Sequence, residues 1–330
     1  AWSVWALAEN KHRWKIQLAA TLASNPFFLN FFVGKIHKGR SKMICVPGLN
    51  CYSCPAAAAS CPIGSLQAVI GSSKFHFAYY IVGLLILMGV LLGRAICGFL
   101  CPFGWFQELL HKIPSKKLSA KKLHPLTYLK YVVLAVFVII LPMTVVNEVG
   151  LGDPFFCKYI CPVGILEGGI PLSIADSAIR ASLGALFTWK SCILLGCMVL
   201  FVFFYRPFCK WLCPLGAFYA LLNSVSLYRF HIDTDKCTSC GACSKVCKMD
   251  VDVFRTPNHR ECIRCGDCVR TCPHQAVAYA KERGKLITFD PNLRPPLWRT
   301  PQEARREILW GLGQAQVVKL SGEEAAFLWG

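Results

Sequence analysis

The chain has 330 residues, a formal net charge of +18, 20 cysteines and 55% hydrophobic residues. The length allows two or more domains, and the apolar share is high for a soluble protein. The positive charges flank apolar stretches and do not gather on one polar face. We therefore expect basic loops beside a membrane and no nucleic-acid partner.

The apolar pattern predicts an all-α transmembrane helical bundle of about four spans in residues 1–230, since a crossing helix needs about 20 residues. The predicted spans are residues 16–33, 77–96, 128–146 and 185–205. Five lysines separate the second and third spans, whereas residues 147–163 carry only Lys158. Because basic loops stay inside, we expect a multi-pass protein of a prokaryotic plasma membrane, with residues 231–282 in the cytoplasm.

A Cys-Pro-x-Gly pattern occurs four times in this region. The cysteines of the four copies are Cys61, Cys101, Cys161 and Cys213. The last three copies have another cysteine four residues earlier, at Cys97, Cys157 and Cys209. In the first copy the earlier cysteines, Cys51 and Cys54, lie farther from the motif. Proline after cysteine suits the first turn of a helix, where the helix dipole favours a thiolate. The order of spans and motifs repeats, which predicts two tandem halves whose motifs meet on each face.

Four thiolates are the number that one 4Fe-4S cluster needs. On the cytoplasmic face we predict a cluster held by Cys97, Cys101, Cys209 and Cys213. On the external face the candidates are Cys51, Cys54, Cys61, Cys157 and Cys161. The alternative is that these cysteines only pack as small buried residues. We assign Cys192 and Cys197 to helix packing and leave Cys45 without a role.

A duplicated eight-cysteine run follows the apolar region. It consists of Cys237-x-x-Cys240-x-x-Cys243-x-x-x-Cys247 and Cys262-x-x-Cys265-x-x-Cys268-x-x-x-Cys272-Pro273. In bacterial ferredoxins with this spacing the fourth cysteine of a run binds the other cluster. An α+β ferredoxin domain at residues 231–282 is therefore predicted, with one cluster on Cys237, Cys240, Cys243 and Cys272 and a second on Cys262, Cys265, Cys268 and Cys247. A pair of zinc sites is the alternative, but Cys₄ zinc sites usually consist of separated Cys-x-x-Cys pairs.

Cys-x-x-x-Cys-Pro motifs followed by a two-cluster ferredoxin resemble the membrane ferredoxin-type quinol dehydrogenase family, which includes the NapH and NosR proteins. The resemblance covers residues 12–280. It implies four spans and electron transfer between a membrane quinol and partner redox proteins of the ferredoxin or flavin type. Cys97, Cys101, Cys209 and Cys213 match the family's pair of motifs, whereas the external cysteines go beyond its usual pattern.

The last segment, residues 286–330, resembles an internal segment of the fructokinases, which are sugar kinases of the ribokinase-like fold. The resemblance rests on a Phe-Asp-Pro-Asn-Leu-Arg run at residues 289–294 and on residues 317–324. The Gly-Ala-Gly-Asp motif of that family is absent from this chain. We therefore expect a fragment without kinase activity.

These patterns predict a membrane-bound iron–sulfur protein that transfers single electrons, more an electron carrier than a complete enzyme. A redox-sensing, maturation or regulatory membrane protein is the alternative. No histidine lies in the apolar centres, which disfavours haem. A quinone is a further candidate cofactor, with Glu108, Glu148 or Glu167 as its proton acceptor.

Overall fold

The structure is a computed structural model, and it describes residues 13–72, 79–148, 151–274, 276–279, 288–289, 300–314 and 317–329. The chain divides into two compact units, Ala1–Tyr279 and Ala280–Gly330. The first unit contains the apolar region together with the eight-cysteine run. The second contains the fructokinase-like segment.

The first unit is mainly helical, and several of its helices are short. In chain order they are Arg13–Ser24, Asn30–Val33, Arg40–Met43, Pro62–Ile70, Tyr79–Leu92, Ala95–Phe99, Pro102–His111, Lys121–Thr144, Phe156–Ile160, Pro162–Ala175, Ser177–Ala181, Ala185–Phe203, Pro207–Trp211, Pro214–Leu222, Ala242–Lys245 and Asp267–Thr271. A helix begins at the proline of every Cys-Pro-x-Gly motif, with the cysteine as its extended N-cap residue. The expected role of proline in the first helical turn is therefore observed in all four copies.

Two helices in the described part of the chain are long and apolar enough to cross a membrane. They are Lys121–Thr144, with 24 residues, and Ala185–Phe203, with 19 residues. These helices coincide with the third and fourth predicted spans. The prediction of a four-span transmembrane bundle is therefore wrong.

The first two predicted spans are shorter than the sequence pattern suggested. Residues 16–33 form the 12-residue helix Arg13–Ser24, a turn at Asn25-Pro26 and the four-residue helix Asn30–Val33. Residues 77 and 78 lie outside the described residues, and the rest of the second span forms the 14-residue helix Tyr79–Leu92. Fourteen helical residues extend about 21 Å, which is less than the roughly 30 Å of a hydrocarbon core. The helix ends at Gly93, whose φ of 56° is in the left-handed region.

The eight-cysteine run forms a small cassette closed by two strands. Phe230–Ile232 pairs antiparallel with Val277–Tyr279, in the register Phe230↔Tyr279. Two short helices, Ala242–Lys245 and Asp267–Thr271, lie between these strands in the sequence. The strands thus bring the two ends of the cassette together, as expected for a ferredoxin-type domain.

In its described residues, 288–289, 300–314 and 317–329, the second unit has two helices and two very short strands. The helices are Pro301–Gln314 and Gly322–Trp329. The strand Thr288–Phe289 pairs in parallel with Val317–Val318. The helix Pro301–Gln314 connects the two strands, which gives a strand–helix–strand piece.

Candidate iron–sulfur sites

The near quartet, named for its position beside the cassette, consists of Cys97, Cys101, Cys209 and Cys213. All four cysteines are buried. Burial raises the pKa of the Cys213 thiol, and the three other thiols of the quartet raise it further because all four lie close together. Backbone N–H groups donate to two of these sulfurs: Leu49 N lies 3.4 Å from Cys101 Sγ, and Gly216 N lies 3.2 Å from Cys213 Sγ. Two motifs that are more than 100 residues apart in sequence therefore form one group of thiols.

A buried ion-pair network connects the near quartet to the cassette. Arg94 donates to the carbonyl oxygen of Cys209 over 3.1 Å and to Glu261 Oε2 over 2.6 Å. Lys130 donates to the other carboxylate oxygen of Glu261. Burial alone would raise the pKa of Glu261, but the Arg94 and Lys130 cations lower it to about 2.

A second buried network lies on the other side of the near quartet. Arg206 donates to the carbonyl oxygen of Cys97 and, over 2.9 Å, to Glu108 Oε1. Arg13 and Tyr205 also donate to this carboxylate. Despite its burial, Glu108 has its pKa lowered to about 2 by Arg206 and Arg13.

The two networks leave positive charge beside the near quartet. Each contains two cations and one carboxylate, so each carries a net charge of +1. Nε of Arg94 and Nη2 of Arg206 are buried with no hydrogen-bond partner among the described residues. Buried charge is costly unless it is balanced. An anionic 4Fe-4S cluster bound by four thiolates would supply that balance, so the donor set and its surroundings fit this cofactor.

The far quartet consists of Cys51, Cys61, Cys157 and Cys161. These four cysteines line one cavity of about 580 Å³. Burial raises the pKa of the Cys157 thiol to about 12, and its neighbours Cys61 and Cys51 raise it as well. Two glycines in the cavity wall, Gly64 and Gly164, leave room beside the sulfurs. A Cβ atom on Gly64 would lie 3.8 Å from Cys157 Sγ, and a Cβ atom on Gly164 would lie 3.6 Å from Cys51 Sγ. Space and donors for a cluster are therefore present.

The fifth external candidate, Cys54, does not line this cavity. Its thiol donates to Asn25 Oδ1 over 3.6 Å, and its side chain packs against Ala56 and Ala57. Cys197 is buried in the core and Cys192 is exposed. Cys45 is buried, with its Sγ 3.6 Å from Ser65 Oγ.

The carboxylates considered for quinone chemistry have different environments. Glu108 is held between two arginines, so its low pKa makes it a poor proton acceptor. Glu167 is half-buried beside the far quartet and accepts a 2.8 Å hydrogen bond from Cys51 N. Glu148 is exposed.

The cassette loops share an unusual backbone conformation. Ser239 and Arg264 occupy the same place in their Cys-x-x-Cys runs and have φ values of 57° and 53°. Gly241 and Gly266, two residues further along, also have positive φ. Left-handed backbone at a non-glycine residue costs roughly 1–2 kcal/mol and is concentrated at functional sites. The same positive φ values at equivalent positions show that the two loops have the same backbone shape.

The crossed pairing predicted for the cassette has structural counterparts. Cys237, Cys240, Cys243 and Cys272 line one pocket, which we call cassette site 1. In cassette site 2, burial raises the pKa of the Cys268 thiol, and the nearby thiols of Cys262, Cys265, Cys247 and Cys243 contribute to this shift. The pocket fits the predicted ligands of cassette site 1, and the crossed assignment as a whole stays a prediction.

The spacing of the thiols is relevant to the zinc alternative. Among the described residues, no three His, Cys, Asp or Glu side chains lie close enough together to bind one metal ion. A tetrahedral zinc site would need its sulfurs within about 4 Å of one another, because each Zn–S bond is about 2.3 Å. In a 4Fe-4S cluster every thiolate binds a different iron, so its four sulfurs do not have to reach one ion.

Sequence analysis missed the residues that surround the near quartet. Arg94 and Lys130 are isolated charges in apolar stretches, and this isolation was the available signal. Glu261 directly precedes Cys262, and nothing in the neighbouring sequence marks it as part of the site. Its partners, Arg94 and Lys130, lie far away in the sequence.

Comparisons with known proteins identify iron–sulfur domains in this chain. A 4Fe-4S binding domain model matches residues 75–121, 129–170 and 187–233, and a second one matches residues 228–249. MauN of Paracoccus denitrificans, a methylamine utilization ferredoxin-type protein, is 27% identical over 248 residues, which cover 72% of this chain and 76% of MauN. YccM of Escherichia coli, a protein named for electron transport, is 24% identical over 226 residues; the match covers 64% of this chain and only 56% of YccM. No solved structure matches the chain.

The fructokinase-like segment has relatives of a different kind. Fructokinase-2 of Arabidopsis thaliana is 44% identical over 61 residues, which cover 18% of this chain and 18% of that protein. The resemblance is therefore confirmed as a partial one. It says nothing about the helical unit.

The chain thus contains ferredoxin-type 4Fe-4S binding domains and is related to YccM and MauN. These findings support an iron–sulfur electron-transfer role. The more specific likeness to NapH and NosR stays a prediction.

Proposed function

We propose that the chain binds four 4Fe-4S clusters and conducts electrons between a redox protein that docks at the cassette and a second partner at the far quartet. The observation that carries this proposal is that four cysteines line the far cavity, four line cassette site 1, and the four thiols of the near quartet lie close together. The ligands are those of cassette sites 1 and 2, the near quartet and the far quartet. Each cluster, when bound, takes up and releases one electron at a time.

The chain offers a close connection between cassette site 2 and the near quartet. Gly98, between Cys97 and Cys101, packs so closely against Ile263 that a Cβ atom on Gly98 would lie 2.6 Å from the Ile263 carbonyl oxygen. Ile263 directly follows Cys262. In addition, Asn223 Nδ2 donates to the Cys262 carbonyl oxygen over 3.0 Å and Asn223 Oδ1 accepts from Arg94 N over 2.9 Å.

The near and far quartets are connected by one short segment. Leu49 N donates to Cys101 Sγ in the near quartet, and Cys51 of the far quartet is only two residues further along the chain. Tyr219 is buried between them: desolvation raises the pKa of its phenol, and thiols of both quartets, including Cys97 and Cys61, contribute. These contacts support an order of cassette site 1, cassette site 2, near quartet and far quartet.

Our proposal includes a membrane location for Lys121–Thr144 and Ala185–Phe203. The second helix exposes large apolar side chains, with Trp189 57% and Leu195 61% exposed. Apolar patches of this kind on a helix of crossing length suit lipid contact. The nature of the two partners, of the ferredoxin, flavin or quinol type, follows only from the family resemblance.

The test is iron and acid-labile sulfide content, with EPR spectra recorded during a redox titration of anaerobically purified protein. We expect about sixteen iron atoms per chain, four for each cluster, and reversible one-electron signals. About eight iron atoms would restrict the function to the cassette. Reduction that changed the affinity for a partner but supported no electron transfer would favour a sensor instead.

A further inference from the structure

Two buried glutamines occupy the same position in the repeat. Gln67 comes six residues after Cys61, and Gln107 comes six residues after Cys101. Both are 0% exposed. Because a buried amide is costly unless it is hydrogen-bonded, its partners explain why the site tolerates it.

The amide of Gln67 is fixed by three contacts. Its Nε2 lies 3.2 Å from Cys157 Sγ and 3.2 Å from the Ile63 carbonyl oxygen, and its Oε1 accepts from Phe156 N over 3.1 Å. A carbonyl oxygen can only accept and a backbone N–H can only donate. The NH₂ group of Gln67 must therefore face the sulfur.

Gln107 makes the same contact to sulfur at the near quartet, whereas its buried Oε1 has no hydrogen-bond partner among the described residues. Its Nε2 lies 3.0 Å from Cys209 Sγ and 3.4 Å from the Phe103 carbonyl oxygen. Cys157 and Cys209 hold equivalent positions, each four residues before the cysteine of a later Cys-Pro motif. The glutamine of each earlier motif thus donates an N–H···S hydrogen bond to a cysteine sulfur of a later motif.

The later motifs have other residues at this position. Glu167 accepts from Cys51 N, and Tyr219 donates to the Pro47 carbonyl oxygen over 2.9 Å. At this position of the repeat, each quartet therefore has one side-chain amide that is hydrogen-bonded to a cysteine sulfur.

We propose that Gln67 and Gln107 are positioning residues that raise the reduction potentials of the clusters bound by the far and near quartets, respectively. The inference rests on the proposed function. Reduction adds negative charge to a cluster and its sulfurs, and an N–H dipole pointing at a sulfur stabilises that charge. Losing the donor makes reduction less favourable, so the potential falls.

The test compares Gln67→Met and Gln107→Met with the unchanged full-length protein in an EPR-monitored redox titration. Methionine has a similar volume but no N–H donor. We expect Gln67→Met to lower only the potential of the far-quartet cluster and Gln107→Met only that of the near-quartet cluster. The expected change is about tenfold in the one-electron equilibrium, which is 59 mV. Each signal is assigned beforehand by its loss in Cys161→Ala or Cys213→Ala protein.

Gln17→Met is the matched control. Gln17 is also buried, and its Nε2 lies 2.9 Å from the Gly98 carbonyl oxygen and 2.9 Å from Glu108 Oε2, but it does not donate to a sulfur. We expect Gln17→Met to leave the far-quartet potential unchanged and to change the near-quartet potential less than Gln107→Met does.

The outcomes separate this inference from the proposed function. Clusters that bind in both glutamine variants with unchanged potentials would overturn the inference alone. Unchanged protein that lacks iron at either quartet would overturn the function assigned to that quartet. If a variant fails to bind iron, the hydrogen bonds are tested in unchanged protein labelled with ¹⁵N-glutamine. Pulsed EPR should then detect coupling between a glutamine nitrogen and each of the two clusters. Absence of this coupling would contradict the hydrogen bonds and overturn the inference.

Discussion

The cassette and the helical region assemble groups of four cysteines in opposite ways. In the cassette all eight cysteines lie within residues 237–272, and one of them, Cys240, is exposed. In the helical region each quartet joins cysteines that are about 100 residues apart, and the near quartet is buried among charged side chains. Local spacing defines the first kind of site, whereas packing between distant segments defines the second. The second kind should therefore be more sensitive to changes outside its ligands.

The largest expected effect is the loss of a whole cluster from the near quartet. Cys101→Ala and Cys213→Ala should each remove about four iron atoms per chain, because each removes one of four ligands of the same cluster. The double variant should lose no more, since residues of one unit are not additive. Iron analysis and EPR measure this, with Cys197→Ala, a buried cysteine outside the quartets, as the control. A loss of about eight iron atoms in the double variant would place the two cysteines in different clusters.

Next in size is the loss of the buried carboxylate between the cassette and the helices. Glu261→Ala leaves Arg94 and Lys130 buried without a carboxylate partner. Breaking a buried ion pair in this way costs about 3–5 kcal/mol. We expect that decrease in the free energy of unfolding, measured by denaturation in detergent.

Arg255→Ala provides the comparison for this change. Arg255 is 79% exposed in its pair with Asp252. Exposed ion pairs contribute about 0–1 kcal/mol. Equal effects of Glu261→Ala and Arg255→Ala would show that the buried network does not fasten the cassette to the helices.

A smaller effect is expected where the cassette touches the near motif. In Gly98→Ala the new Cβ atom would lie 2.6 Å from the Ile263 carbonyl oxygen, so one of the two segments must move. Overpacking of this kind costs about 1–3 kcal/mol. We also expect slower electron transfer from the cassette to the near quartet at unchanged iron content, measured by rapid-mixing spectroscopy.

Gly196→Ala is the matched change in an open position, because a Cβ atom there would meet nothing within 4 Å. Alanine in a helix is generally neutral or stabilising relative to glycine. If both alanine variants transferred electrons at the rate of the unchanged protein, the Gly98–Ile263 contact would have no role in the electron path.

The smallest effect, no change in iron content, is expected at one of the external cysteines. Cys54→Ser should leave the iron content unchanged, since Cys54 does not line the far cavity. Cys61→Ser should remove about four iron atoms, since Cys61 lines it. Iron analysis of the two variants, made by the same substitution, distinguishes a ligand from a packing residue. The opposite pattern would exchange their roles.

The ferredoxin spacing and the Cys-Pro helix starts were readable in the sequence because both depend on neighbouring residues. A cluster-binding loop needs three cysteines at fixed short intervals, and proline fixes the first turn of a helix. Length and apolar composition together also identified the two long apolar helices, Lys121–Thr144 and Ala185–Phe203.

Hydropathy overestimated the first two spans because it ignores how a helix ends. Asn25-Pro26 follows the helix Arg13–Ser24, and Gly93 in the left-handed region ends Tyr79–Leu92. Both stretches remain apolar beyond these points, so a composition window continues across them.

Only the tertiary structure decided which external cysteines share a cavity, and which polar side chains surround the sulfurs. Cys51 and Cys54 are only three residues apart, but Cys51 lines the far cavity and Cys54 packs against Ala56 and Ala57. Gln67 reaches Cys157 across 90 residues, and Glu261 reaches Lys130 across 131 residues. Contacts at such separations depend on how helices pack, and no local pattern encodes them. The sequence by itself therefore determined the number and type of thiol motifs, whereas the packing determined how they combine and what charge surrounds them.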